Sequence, residues 1–149
     1  MNKELADLLF SNIKITVDEI EAKYPARDLK EGAYVTRFAP SPTGFLHVGG
    51  LYGSFLDSML AKQTGGIFYL RVEDTDSKRE KEGAFDAILD GLKAYDIIYD
   101  EGPDKGGNYG PYVQSERAEI YQAYAKKLVS EGKAYPCFMS EEEIADIRS

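Results

Sequence analysis

Segment 34–72 constrains the chain most, because it sets a proline-broken loop and one helix between two β-prone runs. Residues 34–38 favour extended backbone. Pro40 and Pro42 then stop any continuation as a central strand, since proline has no N–H to give to a ladder. From Gly49 the apolar positions Leu51, Tyr52, Phe55, Leu56, Met59 and Leu60 recur every three to four residues until Thr64-Gly65-Gly66 breaks the pattern. That is a helix of about four turns. Residues 67–72 are β-prone again. Strand, loop, helix, strand in this order makes two parallel strands with a right-handed crossover, so the fold class is α/β with a parallel sheet.

The flanking segments extend the alternation. Leu5, Leu8 and Leu9 share helical spacing, and Thr16 with Glu19 forms a capping box before Val17 and Ile20, so two short helices are expected before Tyr24-Pro25. Phe85, Ile88, Leu89, Leu92 and Tyr95 mark another helix, and residues 97–99 a third strand. A loop with four glycines, Gly102, Gly106, Gly107 and Gly110, leads to Ser115, which is expected to cap a helix through Ile120, Tyr121, Tyr124 and Leu128 that Gly132 closes. Residues 134–138 return to extended character, and Ser140 with Glu143 caps a last helix.

Composition excludes several classes. Eighteen Lys and Arg against twenty-six Asp and Glu give a net charge of −8, which argues against indiscriminate polyanion binding and confines any nucleic-acid contact to local basic spots such as Lys78-Arg79 with Lys81, or Lys126-Lys127. No run of apolar residues is long enough for a signal peptide core or a membrane-spanning helix, so a soluble protein without membrane contact is expected. The lone Cys137 excludes an internal disulfide and fits a reducing compartment. It reads as a small buried hydrophobe.

Ligands of open α/β sheets sit at the carboxyl ends of strands, where loops meet helix N-termini. Both β-prone runs end in unusual sequence there. The first passes through Ala39-Pro40-Ser41-Pro42-Thr43-Gly44 to His47-Val48-Gly49-Gly50, and the second ends in Arg71-Val72-Glu73-Asp74-Thr75-Asp76. Amides at a helix start suit phosphate, and glycines leave room for a nucleotide. An imidazole donor at His47 would stabilise charge on a transferring phosphoryl group, a contribution of about 2.7 to 4 kcal/mol for one preorganised donor. Neither GxGxxG nor GxxxxGK followed by Ser or Thr occurs. Plainer readings stand beside these: Arg37 and Glu73 as an ion pair between neighbouring strands, His47 as a helix cap, Asp74 and Asp76 as turn formers, and Tyr112, Tyr121, Tyr124 and Tyr135 as core or half-buried packing.

The run 37–50, with Gly65-Gly66 and 71–76, closely resembles the bacterial glutamyl-tRNA synthetases. Asp100-Glu101-Gly102-Pro103 and Gly110-Pro111-Tyr112-Val113-Gln114-Ser115-Glu116-Arg117 resemble them too, so the likeness covers residues 34–149. Glu73, where the glutaminyl relatives have Asp, favours glutamate. The resemblance implies the first half of a Rossmann-like class I catalytic domain at 34–133, a helical N-terminal extension at 1–33, and the start of an inserted acceptor-binding domain at 134–149. It implies a cytoplasmic, monomeric ligase that activates L-glutamate with ATP and Mg²⁺ and transfers it to the 3′ end of tRNA(Glu). His47, Gly49 and Gly50 match the catalytic ATP signature, with Thr43 also at the ATP site. Arg37, Ala39, Ser41 and Glu73 match glutamate contacts. Asp76 and Arg79 match the approach of the tRNA acceptor end.

Some features depart from the pattern. Bacterial relatives are expected to begin a few residues before the first strand, whereas about thirty residues precede it here. Position 139 is Met, where some members have a second cysteine of a zinc site, so zinc is not expected. The second ATP signature, Lys-Met-Ser-Lys-Ser, is absent from these 149 residues, so they are expected to be inactive alone. Two other functions remain open: a glutamyl-queuosine-type paralogue that attaches glutamate to a modified tRNA base, and a non-catalytic binding fragment.

Overall fold

The computed structural model describes residues 2–44, 46–76 and 82–148. Its elements are α1 (Asn2–Leu9), α2 (Val17–Lys23), β1 (Val35–Phe38), α3 (Val48–Thr64), β2 (Ile67–Leu70), α4 (Ala84–Ala94), a 3₁₀ turn (Ser115–Arg117), α5 (Ala118–Ser130) and α6 (Glu141–Arg148). The chain forms two compact units, Glu21–Ala118 and Met1–Ile20 with Glu119–Ser149.

The larger unit is built on the expected strand, loop, helix, strand order. β1 and β2 pair in parallel, with Val35 opposite Ile67 and Phe38 opposite Leu70. Because successive side chains of a strand point to opposite faces, Phe68, Leu70 and Val72 share one face and Tyr69, Arg71 and Glu73 the other. The first set is buried. Phe68 and Leu70 join Ala61 of α3, Ile88 and Leu92 of α4, Ile97 and Tyr99 in the core, with Phe38, Leu46, Leu51 and Leu89 against it.

Local chemistry sets the ends of α3. His47 is its N-cap in extended conformation, and Gly65 its C-cap at φ 66°, with the Gly65 N–H donating to the carbonyls of Ala61 and Lys62. A Cβ on Gly66 would lie 1.8 Å from the Tyr34 carbonyl oxygen. Only glycine lets β2 start so close to the entry of β1.

The third strand expected at 97–99 is not one. Ile97 and Tyr99 are instead buried core residues, and parallel pairing comes two residues later. The Asp100 N–H donates to the Phe68 carbonyl at 2.7 Å and the Leu70 N–H to that of Glu101 at 2.9 Å. The second β-run also splits: regular pairing with β1 ends at Leu70, and Val72 bridges in parallel to Val113.

In the smaller unit, Lys126 of α5 holds the end of α1. Its Nζ lies 2.9 Å from an Asp7 carboxylate oxygen and donates to the carbonyls of Phe10 and Ile13. Both capping boxes form, Thr16 with Glu19 and Ser140 with Glu143, each N–H meeting the other residue's side chain at 2.6 to 3.2 Å. Cys137 is exposed, against the expectation of burial. Tyr112 is 4% exposed as expected of a packed tyrosine, whereas Tyr135 is 84% exposed, against that expectation. Among the described residues no helix is long and apolar enough to cross a membrane.

Candidate active site

The parallel ladder does not stop where the strands do. Beyond Phe38, whose carbonyl accepts the Arg71 N–H, the Pro40 carbonyl accepts the Glu73 N–H at 2.9 Å. Proline cannot donate but still accepts, so the loop runs beside the end of the second strand. Arg37 and Glu73 fall on the face away from the core, and their side chains meet, Nη1 to Oε1 at 3.2 Å, with 41% and 36% of each exposed. The plain ion-pair reading thus describes their geometry. A pair this open to water contributes about 0 to 1 kcal/mol, so little stability is lost if a substrate carboxylate and ammonium take the partners' places.

On the core face, Ala39, Ser41, Thr43, His47 and Gly50 surround a recess of about 340 Å³ floored by Phe38, Leu46 and Ile88. Its lining includes neither Arg37, Glu73 nor Gly49. The proline loop therefore has two sides, the Arg37–Glu73 ion pair on one and the helix start on the other, joined through Phe38-Ala39-Pro40.

His47 does act as a cap: its Nδ1 accepts the Gly50 N–H at 3.3 Å. In a neutral ring this leaves the proton on Nε2, which is then a donor. The glycines serve the protein before any ligand. A Cβ on Gly49 would sit 3.1 Å from the His47 ring, and one on Gly50 would sit 2.9 Å from Leu46 Cδ1. Among the start-of-helix amides, that of Gly50 is thus directed at His47 rather than left for phosphate.

Asp74 is structural, as the turn reading had it, but over long range. Its carboxylate accepts the Ser115 N–H at 2.9 Å and the Ser115 hydroxyl at 2.5 Å. Ser115 is consequently committed to Asp74 and caps no helix with its side chain; a 3₁₀ turn opens there and α5 begins at Ala118. Asp76 is half-buried at the end of this described segment, and Arg79, with Lys78 and Lys81, lies outside the described residues.

A polar cluster that spacing did not reveal braces the outer side of this strand. Arg27 grips Glu101 through two bonds of 2.6 Å, the Tyr112 hydroxyl donates to the same carboxylate at 2.6 Å, and Arg27 stacks 3.8 Å from the Tyr109 ring centre. The bond from the Arg27 guanidinium, aided by that of Tyr112, holds the Glu101 carboxyl below its ordinary value despite partial burial. Burial, then the bond to Glu101, pushes the Tyr112 phenol up to about 12. Glu101 and Tyr112 lie in the runs 100–103 and 110–117 that carry the family resemblance, but no spacing pattern links either of them to Arg27.

A family model described as tRNA synthetases class I (E and Q), catalytic domain, matches residues 33–149. The chain is 55% identical over 150 residues to the glutamate–tRNA ligase of Acetivibrio thermocellus, a match over 98% of this chain and 28% of that protein. It is 51% identical to that of Clostridium perfringens strain 13, with the same coverage. A glutamate tRNA ligase of Elizabethkingia meningosepticum, solved in complex with its amino acid, matches at TM-score 0.71 and 44% identity over 76% of this chain and 23% of that one. Coverage of 98% means that the segment before β1 has a counterpart in the first two relatives, so the short start expected of bacterial relatives does not hold for them. The chain spans about 28% of the length of these curated relatives. By its matched sequence and its α/β fold, the chain belongs to the catalytic-domain family of the class I tRNA synthetases (E and Q).

Proposed function

We propose that the protein is a glutamate–tRNA ligase, whose longer chain activates L-glutamate with ATP and esterifies the 3′ end of tRNA(Glu). The observation that carries this is the meeting of Arg37 and Glu73 at 3.2 Å beside a proline loop whose other side opens on the His47-capped helix start. A guanidinium suits a carboxylate and a carboxylate suits an ammonium group, so opening this pair presents complementary charges to an amino acid. Ala39 and Ser41, on the same loop, line its path. Thr43, His47, Gly49 and Gly50 form the ATP side, with His47 Nε2–H as donor to the α-phosphate. Asp76 and Arg79 are assigned to the tRNA acceptor end.

Specificity follows from charge. A fork built for two carboxylate oxygens loses a charge-assisted bond when it meets the amide of glutamine. Rejection of aspartate by its missing methylene alone is worth about 1 to 3 kcal/mol, so displacement of the shorter chain from Arg37 supplies the rest.

Mg²⁺ is a different matter. Among the described residues no group of three His, Cys, Asp or Glu gathers to hold a metal, and Glu73 and Asp74 are engaged by Arg37 and Ser115. The described residues offer no protein cage, and in this reading the ion arrives on the triphosphate oxygens. No residue role above depends on it.

In this reading residues 34–133 are half of a catalytic domain, 134–149 open an acceptor-binding insertion, and the enzyme works as a cytoplasmic monomer. The names of the relatives support the ligase over the modified-base paralogue and over a non-catalytic module. The test is glutamate-dependent ATP–pyrophosphate exchange with tRNA(Glu) present, then charging of that tRNA, by the full-length protein. Exchange that glutamate does not stimulate would remove the proposal, and exchange by residues 1–149 alone would overturn the expected need for the rest of the chain.

A further inference from the structure

We propose that Arg27 is a positioning residue for the glutamate site, holding Glu73 in place through Glu101 and Tyr112. The inference rests on the ligase reading and concerns a residue ahead of the family-matched segment 33–149.

Glu73 stands on a strand end with two borders. On the inner border its N–H donates to the Pro40 carbonyl. On the outer border the neighbouring backbone is held by a loop: the Leu70 N–H donates to the Glu101 carbonyl, the Val72 N–H to that of Tyr112, and the Gln114 N–H to that of Val72, each at 2.9 Å. The two loop residues whose backbone carbonyls accept from the strand also meet through their side chains, Tyr112 hydroxyl to Glu101 carboxylate at 2.6 Å. The mouth of the loop is therefore closed by a side-chain bond on a mostly buried carboxylate.

That carboxylate stays there because Arg27 neutralises it. Both guanidinium nitrogens are used, at 2.6 Å each, and the side chains are only 16% and 14% exposed. Stacking at 3.8 Å on Tyr109, a residue of the same loop, fixes the plane of the guanidinium. Without Arg27 an ionised Glu101 gains by turning to water, and the Tyr112 bond opens with it. The outer border of segment 70–73 then loosens. The Arg37–Glu73 contact is too exposed to hold Glu73 by itself. Glu73 is the group assigned to the substrate ammonium, so the loss appears in glutamate binding and not at the His47 side, which α3 and the core hold independently.

The experiment measures ATP–pyrophosphate exchange, with tRNA(Glu) present, by the full-length protein with Arg27→Ala, Arg27→Lys and Tyr112→Phe, reading KM for glutamate and for ATP separately. Arg27→Ala should raise the glutamate KM about tenfold with kcat and the ATP KM within about twofold, as expected for lost ground-state positioning. Arg27→Lys, which keeps the charge without the fork, should fall between it and the wild type. Tyr112→Phe, which keeps the packing and removes one bond, should raise the glutamate KM about threefold. A purely structural Arg27 would lower Tm and leave the glutamate KM of the folded enzyme unchanged, and that result overturns the proposal. Parallel rises in both KM values overturn it as well. If Arg27→Ala does not fold, an unchanged glutamate KM in Tyr112→Phe overturns it alone. A wild type without glutamate-dependent exchange removes the ligase reading first, and this one with it.

Discussion

At Arg37 and His47 the same atoms serve structure in the free protein and are assigned to substrate in the complex, and the two uses can be separated. Arg37→Ala removes a surface pair, so the urea midpoint should barely move. If the guanidinium receives the substrate carboxylate, kcat/KM for glutamate should fall about 10- to 100-fold, the worth of a hydrogen bond to a charged group. Unchanged glutamate kinetics would take the role from Arg37. His47 is a cap in the structure and a donor in the proposed function, and asparagine is a good cap that lacks the imidazole. His47→Asn should therefore keep stability within about 0.5 kcal/mol while kcat falls about 10²- to 10³-fold. Wild-type turnover in His47→Asn would leave His47 a cap and nothing more.

Among the elements, the joint between α3 and β2 is the tightest, and Gly65-Gly66 makes it for two distinct reasons. Gly65→Ala meets the left-handed backbone at φ 66°, a strain of about 1 to 2 kcal/mol, and beyond it only the far end of the Lys30 side chain at 3.0 Å, which can swing aside. Gly66→Ala drives a Cβ to 1.8 Å from the Tyr34 carbonyl, backbone against backbone, and should cost more, at least about 2 kcal/mol in urea unfolding. Equal costs would mean that β1 can shift and that the parallel register is softer than it looks. Elements were readable in the sequence wherever their determinants are local. Thr16 with Glu19 and Ser140 with Glu143 lie three residues apart, Gly65 ends its own helix, and the β-runs flank a single helix. Where a distant partner decides, the reading failed. Ser115 is a good cap by type, yet Asp74, 41 positions away, takes both its N–H and its hydroxyl. Residues 97–99 are β-prone, but the core claims Ile97 and Tyr99 and pairing falls to Asp100 and Glu101. The site divides in the same way. Arg37 and Glu73 could be paired from strand parity, whereas Arg27, 74 positions from Glu101, carries no local signal.

For the molecule as a whole, response to acid reports how much of its stability runs through carboxylates. Asp7 is held below its ordinary value by Lys126, Glu19 by Thr16, Glu101 by Arg27 and Glu131 by Lys133. A carboxyl lowered in the folded state contributes stability that is complete above its unfolded value, 4.5 for Glu101, and is lost as pH falls through the folded one. Asp7, Glu19 and Glu131 act on open surface, where solvent screens them. Glu101 is the one of these four whose side chain is mostly buried, at 14% exposed, so it should dominate the acid limb. At pH 7, Glu101→Gln removes the charge opposite Arg27 and should cost about 2 kcal/mol, below the loss from a wholly buried pair because both side chains keep some water. Below 4.5 the unfolded wild type takes up the proton while the folded carboxyl holds its charge to a lower pH, so the difference should shrink as pH falls and close once the folded carboxyl is neutral like the amide. Urea midpoints of wild type and Glu101→Gln should therefore converge as pH falls below 4.5, whereas Glu19→Gln should leave a nearly wild-type slope. Parallel curves for wild type and Glu101→Gln would mean that Glu101 titrates alike in both states, and that the clasp around the second strand is held by packing on Tyr109 and Tyr112 instead of by charge.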